Sequence, residues 1–327
     1  MSIRLGYQIP NFSYPGGPAT IAETVVRQAK EAEASGFDAV LVMDHFYQLP
    51  GLGAPTEPML EAYTLLGALA TATSRVQLST LVTGNTYRNP TLLAKAVTTL
   101  DVMSGGRAVL GIGAGWFELE HQQLGYEFGT FTDRFQRLEE ALAIIEPMLR
   151  GRRPTFQGTW YRAENAINEP RVRDDLPILI GGSGERKTFR YAAQYAAHLN
   201  LICDDTAIPG KLEALAQRCE EVGRDRSTLE TSHLAFLFLG ETDAEAESLY
   251  RDFARARGVD VAALDADARA AFGARHLVGG PDSVAEQAQR RILDAGIDGL
   301  IVNMVANGHQ PGMVELAAKT LRPLVYP

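Results

Sequence analysis

Apolar positions along the chain come in short runs, separated by longer segments with helical periodicity. Eight runs carry the strand signal: Ile3–Ile9, Ala39–Met43, Val76–Val82, Ala108–Ile112, Pro177–Ile180, His198–Ile202, His233–Leu239 and Leu300–Met304. Several are apolar at consecutive positions, the pattern of parallel strands covered on both faces. Amphipathic segments recur at Ile21–Ser35, Glu61–Thr73, Thr91–Met103, Phe135–Leu149, Thr188–Ala196, Lys211–Val222, Ala244–Ala256 and Val284–Ala295. Gly36 stops the first of them. Asp133 with Gln136 three residues on predicts a capping box for the fourth. Eight strands alternating with eight helices predict an α/β chain folded as a (β/α)8 TIM barrel, with a doubly wound sheet as the competing arrangement. No repeat or linker divides the chain, so 1–327 reads as one domain. Two connections are long. One follows strand four, at 113–132 and on past its helix to Pro170; the other follows strand seven, at 240–280. Such loops are usually functional, inserted or lid-forming. Residues 257–274, rich in Ala, Asp and Arg, read either as a helix or as a mobile segment.

Composition narrows the function classes. The net charge is −9, with no long Lys/Arg cluster, which speaks against a nucleic-acid partner. The longest apolar runs, such as Leu234–Leu239, are too short to span a bilayer. The N-terminus shows no basic-then-apolar signal pattern. Cys203 and Cys219 lie in apolar or helical stretches and read as reduced thiols. The expectation is a cytoplasmic protein with no membrane or nucleic-acid partner. None of the six histidines forms an HxH or HExxH pair, so no metal site is expected.

Candidate chemistry lies at the strand ends, where a barrel of this kind opens onto its active face. Strand two stops at Asp44-His45. The pair reads as a proton-transfer group with an adjacent acid, or as a helix cap beside a hydrogen-bonded loop residue. Strand four runs into VLGIGAGWFELE, 109–120. Its glycines, among them Gly113 and Gly115, are spaced by two, and Trp116 stands where a dinucleotide fingerprint needs its third glycine. The stretch reads as a tight turn, or as a turn facing a flat ligand with Trp116 as a wall. Strand five runs into Gly181-Gly182-Ser183-Gly184 and then a helix, an arrangement suited to binding phosphate, with Arg186 and Lys187 adding charge. Strand three ends in Thr80, Thr83, Gly84 and Asn85. Asp101 and Arg107 read as a structural ion pair at the opposite end. There is no nucleophile motif. A phosphate site and a flat pocket without a strong nucleophile or metal suggest a borrowed cofactor.

Taken together, DHF (44–46), TYRNPTLLAKAVTTLDVMSGGRAVLGIGAGW (86–116), FTDRFQRLEEAL (131–142), PILIGGSGERKT (177–188) and LVGGPDSVAEQAQRRILDAGIDGLIVN (277–303) resemble the bacterial luciferase-like superfamily. The likeness is strongest to its branch that uses the 5-deazaflavin coenzyme F420. The resemblance implies a barrel with the cofactor ring across its mouth, and a non-prolyl cis peptide near Thr80-Leu81 that props the ring in a bent form. It also implies phosphate at Gly182–Gly184, and a cofactor wall that includes Asp44 and His45. A homodimer is the family's habit. Sugar-phosphate dehydrogenases of this group carry a tryptophan shortly after the histidine and an acid at the position of Trp116. This chain has Gln48-Leu49 and Trp116 there, which implies a more apolar substrate face. The expected activity is an F420-dependent oxidoreductase acting on a small organic substrate, with His45 handling the proton and Asp44 positioning it. The alternatives are a reduced-FMN monooxygenase and a non-catalytic flavin-binding protein.

Overall fold

The computed structural model describes residues 2–326. Eight parallel strands close into a barrel: β1 (Leu5–Ile9), β2 (Ala39–Val42), β3 (Gln77–Thr80), β4 (Ala108–Gly113), β5 (Ile178–Gly181), β6 (His198–Leu201), β7 (Glu230–Leu239) and β8 (Gly299–Asn303). The register runs unbroken around it, with Gly6 beside Ala39, Ala39 beside Gln77 and Leu78 beside Ala108, then Leu110 beside Ile178 and Leu179 beside His198. The circle closes through Glu230 beside His198, Ser232 beside Gly299 and Leu5 beside Leu300. The doubly wound alternative is excluded. Around the barrel lie α1 (Ile21–Ser35), α2 (Ala62–Ala72), α3 (Pro90–Ser104), α4 (Phe131–Leu149), α5 (Lys187–Tyr195), α6 (Ile208–Glu221), α7 (Pro281–Arg291) and α8 (Met313–Val325).

The consecutive apolar positions of the strands serve two cores. Val40, Val42, Leu110, Ile112, Ile178 and Ile180 face the helices. The residues between them, Ala39, Leu41, Val109 and Leu179, pack inside the barrel with Leu81 and Ile301. Such layered filling makes the interior a packed core and leaves only the mouth open.

Several local expectations shift. α4 begins at Phe131, four residues before the predicted Phe135. Its capping box is Thr130 with Asp133: the Thr130 hydroxyl accepts from the Asp133 N–H at 3.1 Å and the Asp133 carboxylate accepts from the Thr130 N–H at 2.8 Å. Asp133 is thus the third helical residue and not the cap. Asp101 and Arg107 do not pair. Arg107 donates to the carbonyls of Ala70, Thr73 and Val76 at 2.8–3.0 Å, while Asp101 holds Arg173 in a bidentate contact at 2.9 and 3.1 Å. The final helix α8 escaped the sequence reading although Val314, Ala317, Ala318, Leu321 and Val325 bury one face of it; Pro323 in its last turn weakens the pattern.

The two long connections are structured. The first contains a short helix, Glu118–Leu124, and, beyond α4, a small hairpin of Phe156–Gln157 with Arg162–Ala163. The second contains the helices Asp243–Arg255 and Ala266–Gly273 and an added strand, His276–Gly279. That strand pairs with the far half of β7, Phe236 beside His276, because β7 is ten residues long and overshoots the barrel.

At the end of β3 lies a bulge with a cis peptide between Leu81 and Val82, one bond after the expected Thr80-Leu81. The glycines of β4 and β5 make room for it. A Cβ on Gly111 would fall 1.9 Å from the Thr80 carbonyl oxygen, and one on Gly181 would fall 2.8 Å from Val82 Cγ1. A backbone oxygen cannot swing aside as a side chain can. Gly111→Ala is therefore expected to cost about 3 kcal/mol or more of stability, read as a lowered denaturant midpoint; an unchanged midpoint would show that the bulge can move.

Candidate active site

A cavity of about 900 Å³ opens at the C-terminal mouth of the barrel. Its floor is the top layer of the interior: Gln8, Leu81, Gly113, Gly181, Ile202 and Asn303. A polar chain underpins that floor, with Asn303 Nδ2 donating to the Gln8 side-chain oxygen Oε1 at 2.9 Å and Gln8 Nε2 donating to the Leu81 backbone carbonyl at 3.2 Å. No carboxylate lines the cavity among the described residues, whereas Arg134, Arg257 and Arg275 do.

Of the residues singled out in the sequence, His45, Leu81, Thr83, Gly113, Gly115, Trp116, Gly181 and Gly182 line this space, and Asp44, Thr80, Ser183 and Gly184 do not. Asp44 is buried behind the wall, where Arg88 grips both its oxygens at 2.6 and 3.0 Å. Burial pushes the Asp44 carboxyl up, the guanidinium opposes it, and Arg88 itself is held more firmly protonated by the pair. Arg88 also reaches Glu61 at 2.6 Å. Thr80 lies beneath the bulge. Its hydroxyl donates to the Gly111 carbonyl at 2.9 Å and accepts from the Thr83 N–H at 3.1 Å.

His45 projects into the cavity from the residue pair after β2. Its Nδ1 lies 2.9 Å from Glu120 Oε2, and no partner holds Nε2 among the described residues. Glu120, on the short helix after β4, is fully buried. Its other oxygen accepts the Tyr47 N–H at 2.8 Å and the Phe46 N–H, and the Tyr87 hydroxyl donates to the oxygen facing His45. Burial alone would raise the Glu120 carboxyl, but the hydrogen bond and charge of His45, with the donors Tyr87 and Tyr47, bring it below its ordinary value. The anion thus holds the imidazole with Nδ1 protonated and Nε2 directed to the open side. Edge-on rings of Trp116 and Phe117, each 5.9 Å from the imidazole, complete the wall. Trp116 itself is 60 % exposed at the rim.

Sequence reasoning did not find Glu120. The structure exposes Glu118 and turns His121 to Thr86, 2.6 Å from its hydroxyl. With acids at 118 and 120 alike, only the rotation of a two-turn helix decides which one meets His45.

The loop after β5 reaches α5 through a turn at Glu185–Arg186, so the helix begins at Lys187 and not directly after Gly184. Gly182 has φ +131°, a conformation that favours glycine, and a Cβ on Gly184 would lie 2.9 Å from the Thr188 hydroxyl. The N–H groups of Ser183 and Gly184 find no protein acceptor among the described residues. Arg134 flanks the same end and is tied to the Gly115 carbonyl at 3.1 Å. Arg186 is exposed, and the Lys187 ammonium lies over the Phe135 and Phe131 rings at 5.5 and 5.8 Å. Glycine backbone with free N–H groups, a nearby cation and an apolar floor suit a flat ring carrying a phosphate tail.

Comparison with known proteins bears on this geometry. A family model described as luciferase-like monooxygenase matches residues 3–299. The chain is 34 % identical over 235 residues to a protein named F420-dependent glucose-6-phosphate dehydrogenase from Microbacterium testaceum, a match covering 70 % of this chain and 66 % of the relative. It is 30 % identical over 234 residues to pyrimidine monooxygenase RutA of Stutzerimonas stutzeri, covering 68 % of this chain and 62 % of that protein. The match thus spans slightly less than two thirds of each of these relatives. Among solved structures, an F420-dependent secondary alcohol dehydrogenase bound to an F420–acetone adduct superposes with a TM-score of 0.81 at 20 % identity, over 99 % of both chains.

Proposed function

From a chain that belongs to the luciferase-like monooxygenase family, we propose an oxidoreductase dependent on coenzyme F420, passing hydride to or from a small organic substrate. The observation that carries this reading is the charge pattern of the cavity, lined by Arg134, Arg257 and Arg275 and, among the described residues, by no carboxylate, together with a glycine loop and an apolar floor. A deazaflavin is a flat ring with an acidic tail, and both parts find complementary surface. When bound, it supplies a two-electron hydride with little reactivity toward oxygen. The names of the relatives favour the same cofactor.

His45 is the proton-transfer group, acting at Nε2 while Glu120 fixes the other ring nitrogen. Leu81 and Val82 support the ring from below, Gly182–Gly184 hold the phosphate, and Trp116 closes the rim. Asp44 acts through Arg88, as part of the support for this wall. The replacement of an acid by Trp116 argues against a sugar phosphate as the substrate, although relatives carry that name. A reduced-FMN monooxygenase is the second reading, favoured by the relative that oxidises pyrimidines. Residues 1–327 would form one domain. Free thiols at Cys203 and Cys219 fit a reducing, cytoplasmic setting.

A side-by-side titration with deazaflavin and FMN tests the reading. Micromolar binding of deazaflavin with weak FMN binding supports it; the opposite preference selects the monooxygenase. In the same assay Gly182→Val, which forces a branched side chain to φ +131°, is expected to weaken deazaflavin binding at least about tenfold. Undiminished affinity would place the phosphate elsewhere.

A further inference from the structure

The far side of the mouth holds a second titratable pair that the proton transfer at His45 does not use. His276 opens the added strand beside β7, and β7, β8, β1 and β2 follow in order around the barrel. His276 and His45 therefore lie on different sides of the same cavity, which both line. Four aromatic rings surround the His276 imidazole: Phe272 at 5.3 Å, Tyr250 at 5.4 Å, and Phe236 and Phe238 at 5.5 Å each, all edge-on. Phe253 and Leu52 continue the apolar lining.

The hydrogen bonding fixes the tautomer. The Tyr250 hydroxyl lies 3.0 Å from Nδ1 and has no other acceptor among the described residues. Burial pushes this phenol up to about 12, so it keeps its proton, and with no other acceptor in reach among the described residues the hydroxyl is satisfied by donating to Nδ1. Burial, with the charges of Arg275 and Arg291, pushes the imidazole down to about 4, so it is neutral near pH 7. Its one ring proton is then on Nε2, which has no protein partner among the described residues. The result is a neutral N–H donor among aromatic rings, with the guanidiniums of Arg275 and Arg257 lying over Phe236 and Phe253 at 5.4 and 3.6 Å; a donor so placed fixes orientation among apolar walls.

We propose that His276 Nε2–H is the specificity anchor of the substrate site, selecting a neutral, planar, largely apolar molecule that carries a hydrogen-bond acceptor at the end remote from His45. Phe236, Phe253 and Phe272 hold the body of the molecule, and Tyr250 is the positioning residue that keeps the donor pointing to it. This rests on the oxidoreductase reading only for the identity of the reacting end; the anchor itself is a matter of binding.

The test compares two probes of one shape, acetophenone and α-methylstyrene, which differ in having a carbonyl oxygen or a methylene. Binding is read by quenching of Trp116 at the cavity rim, in full-length protein carrying Trp160→Phe so that a single tryptophan reports. The unmodified cavity is expected to prefer acetophenone by about tenfold, the size of one satisfied hydrogen bond. His276→Phe should abolish the preference and leave α-methylstyrene binding unchanged. His276→Gln, which retains a donor, should keep part of it. A preference that survives His276→Phe overturns the assignment. Failure of both probes to quench overturns the substrate class. The assay contains no cofactor, so these outcomes are independent of the deazaflavin titration.

Discussion

Replacing His45 by alanine is expected to cut turnover by roughly two to four powers of ten, the usual contribution of a positioned general acid or base. Cofactor affinity should stay within a few fold, because the imidazole meets the cavity at one edge of a wall whose larger surfaces are Trp116, Leu81 and the glycine turns. Single-turnover hydride transfer with the reduced deazaflavin and a reducible carbonyl gives the number directly. Turnover equal to that of the parent protein would remove His45 from the chemistry and leave it as wall.

Glu120→Gln is the second large effect. The amide keeps an acceptor for the Phe46 and Tyr47 N–H groups, so the turn after β2 should hold its shape. What is lost is the charge that fixes His45 with Nδ1 protonated. Turnover is expected to fall by about ten- to a hundredfold, in line with the cost of losing an orienting partner of a reactive histidine. The pH profile should move with it, and this separates an orienting role from a merely structural one. A substitution that left both rate and profile untouched would make Glu120 a loop clasp only. Stability should respond as well. The Glu120 carboxyl sits below its ordinary value of 4.5 in the folded protein. Its contribution is therefore present above that value and lost as the pH falls through the lower, folded one. The parent should lose stability in acid faster than Glu120→Gln, as urea midpoints measured at successive pH values would show.

The barrel was legible because its strands are buried on both sides and are therefore apolar without interruption, as Ala39–Val42 and Ile178–Ile180 are. The strand-end rule then located His45 without any knowledge of its partners. Glu120 was not legible, since its role depends on the rotation of a seven-residue helix. Nor was the reason for the β4 glycines. They read as a tight turn or as room for a flat ligand, whereas the space a Cβ would fill at Gly111 is taken by the Thr80 carbonyl of the same chain. The added strand His276–Gly279 is four residues long with a glycine at its end, too short a signal to separate from a loop. α8 is legible over Val314–Leu321, where the apolar period is intact, and obscured only where Pro323 enters its last turn.

The overshoot of β7 has a consequence for how such a protein could diversify. Of the wall around His276, Tyr250, Phe253 and Phe272 belong to 240–280, outside the closed circle of strands, and Phe236 and Phe238 to β7, whereas the glycine loop follows β5 and His45 and Glu120 lie on the segments that follow β2 and β4. On the proposed function, recombination or grafting of that one segment between relatives would exchange what the protein accepts, provided Arg257 and Arg275 are kept for the cofactor. Selectivity and reactivity would then be encoded in largely separable stretches of the gene, and a library confined to 250–276 that spares those two arginines would sample new substrates with little risk to the cofactor end.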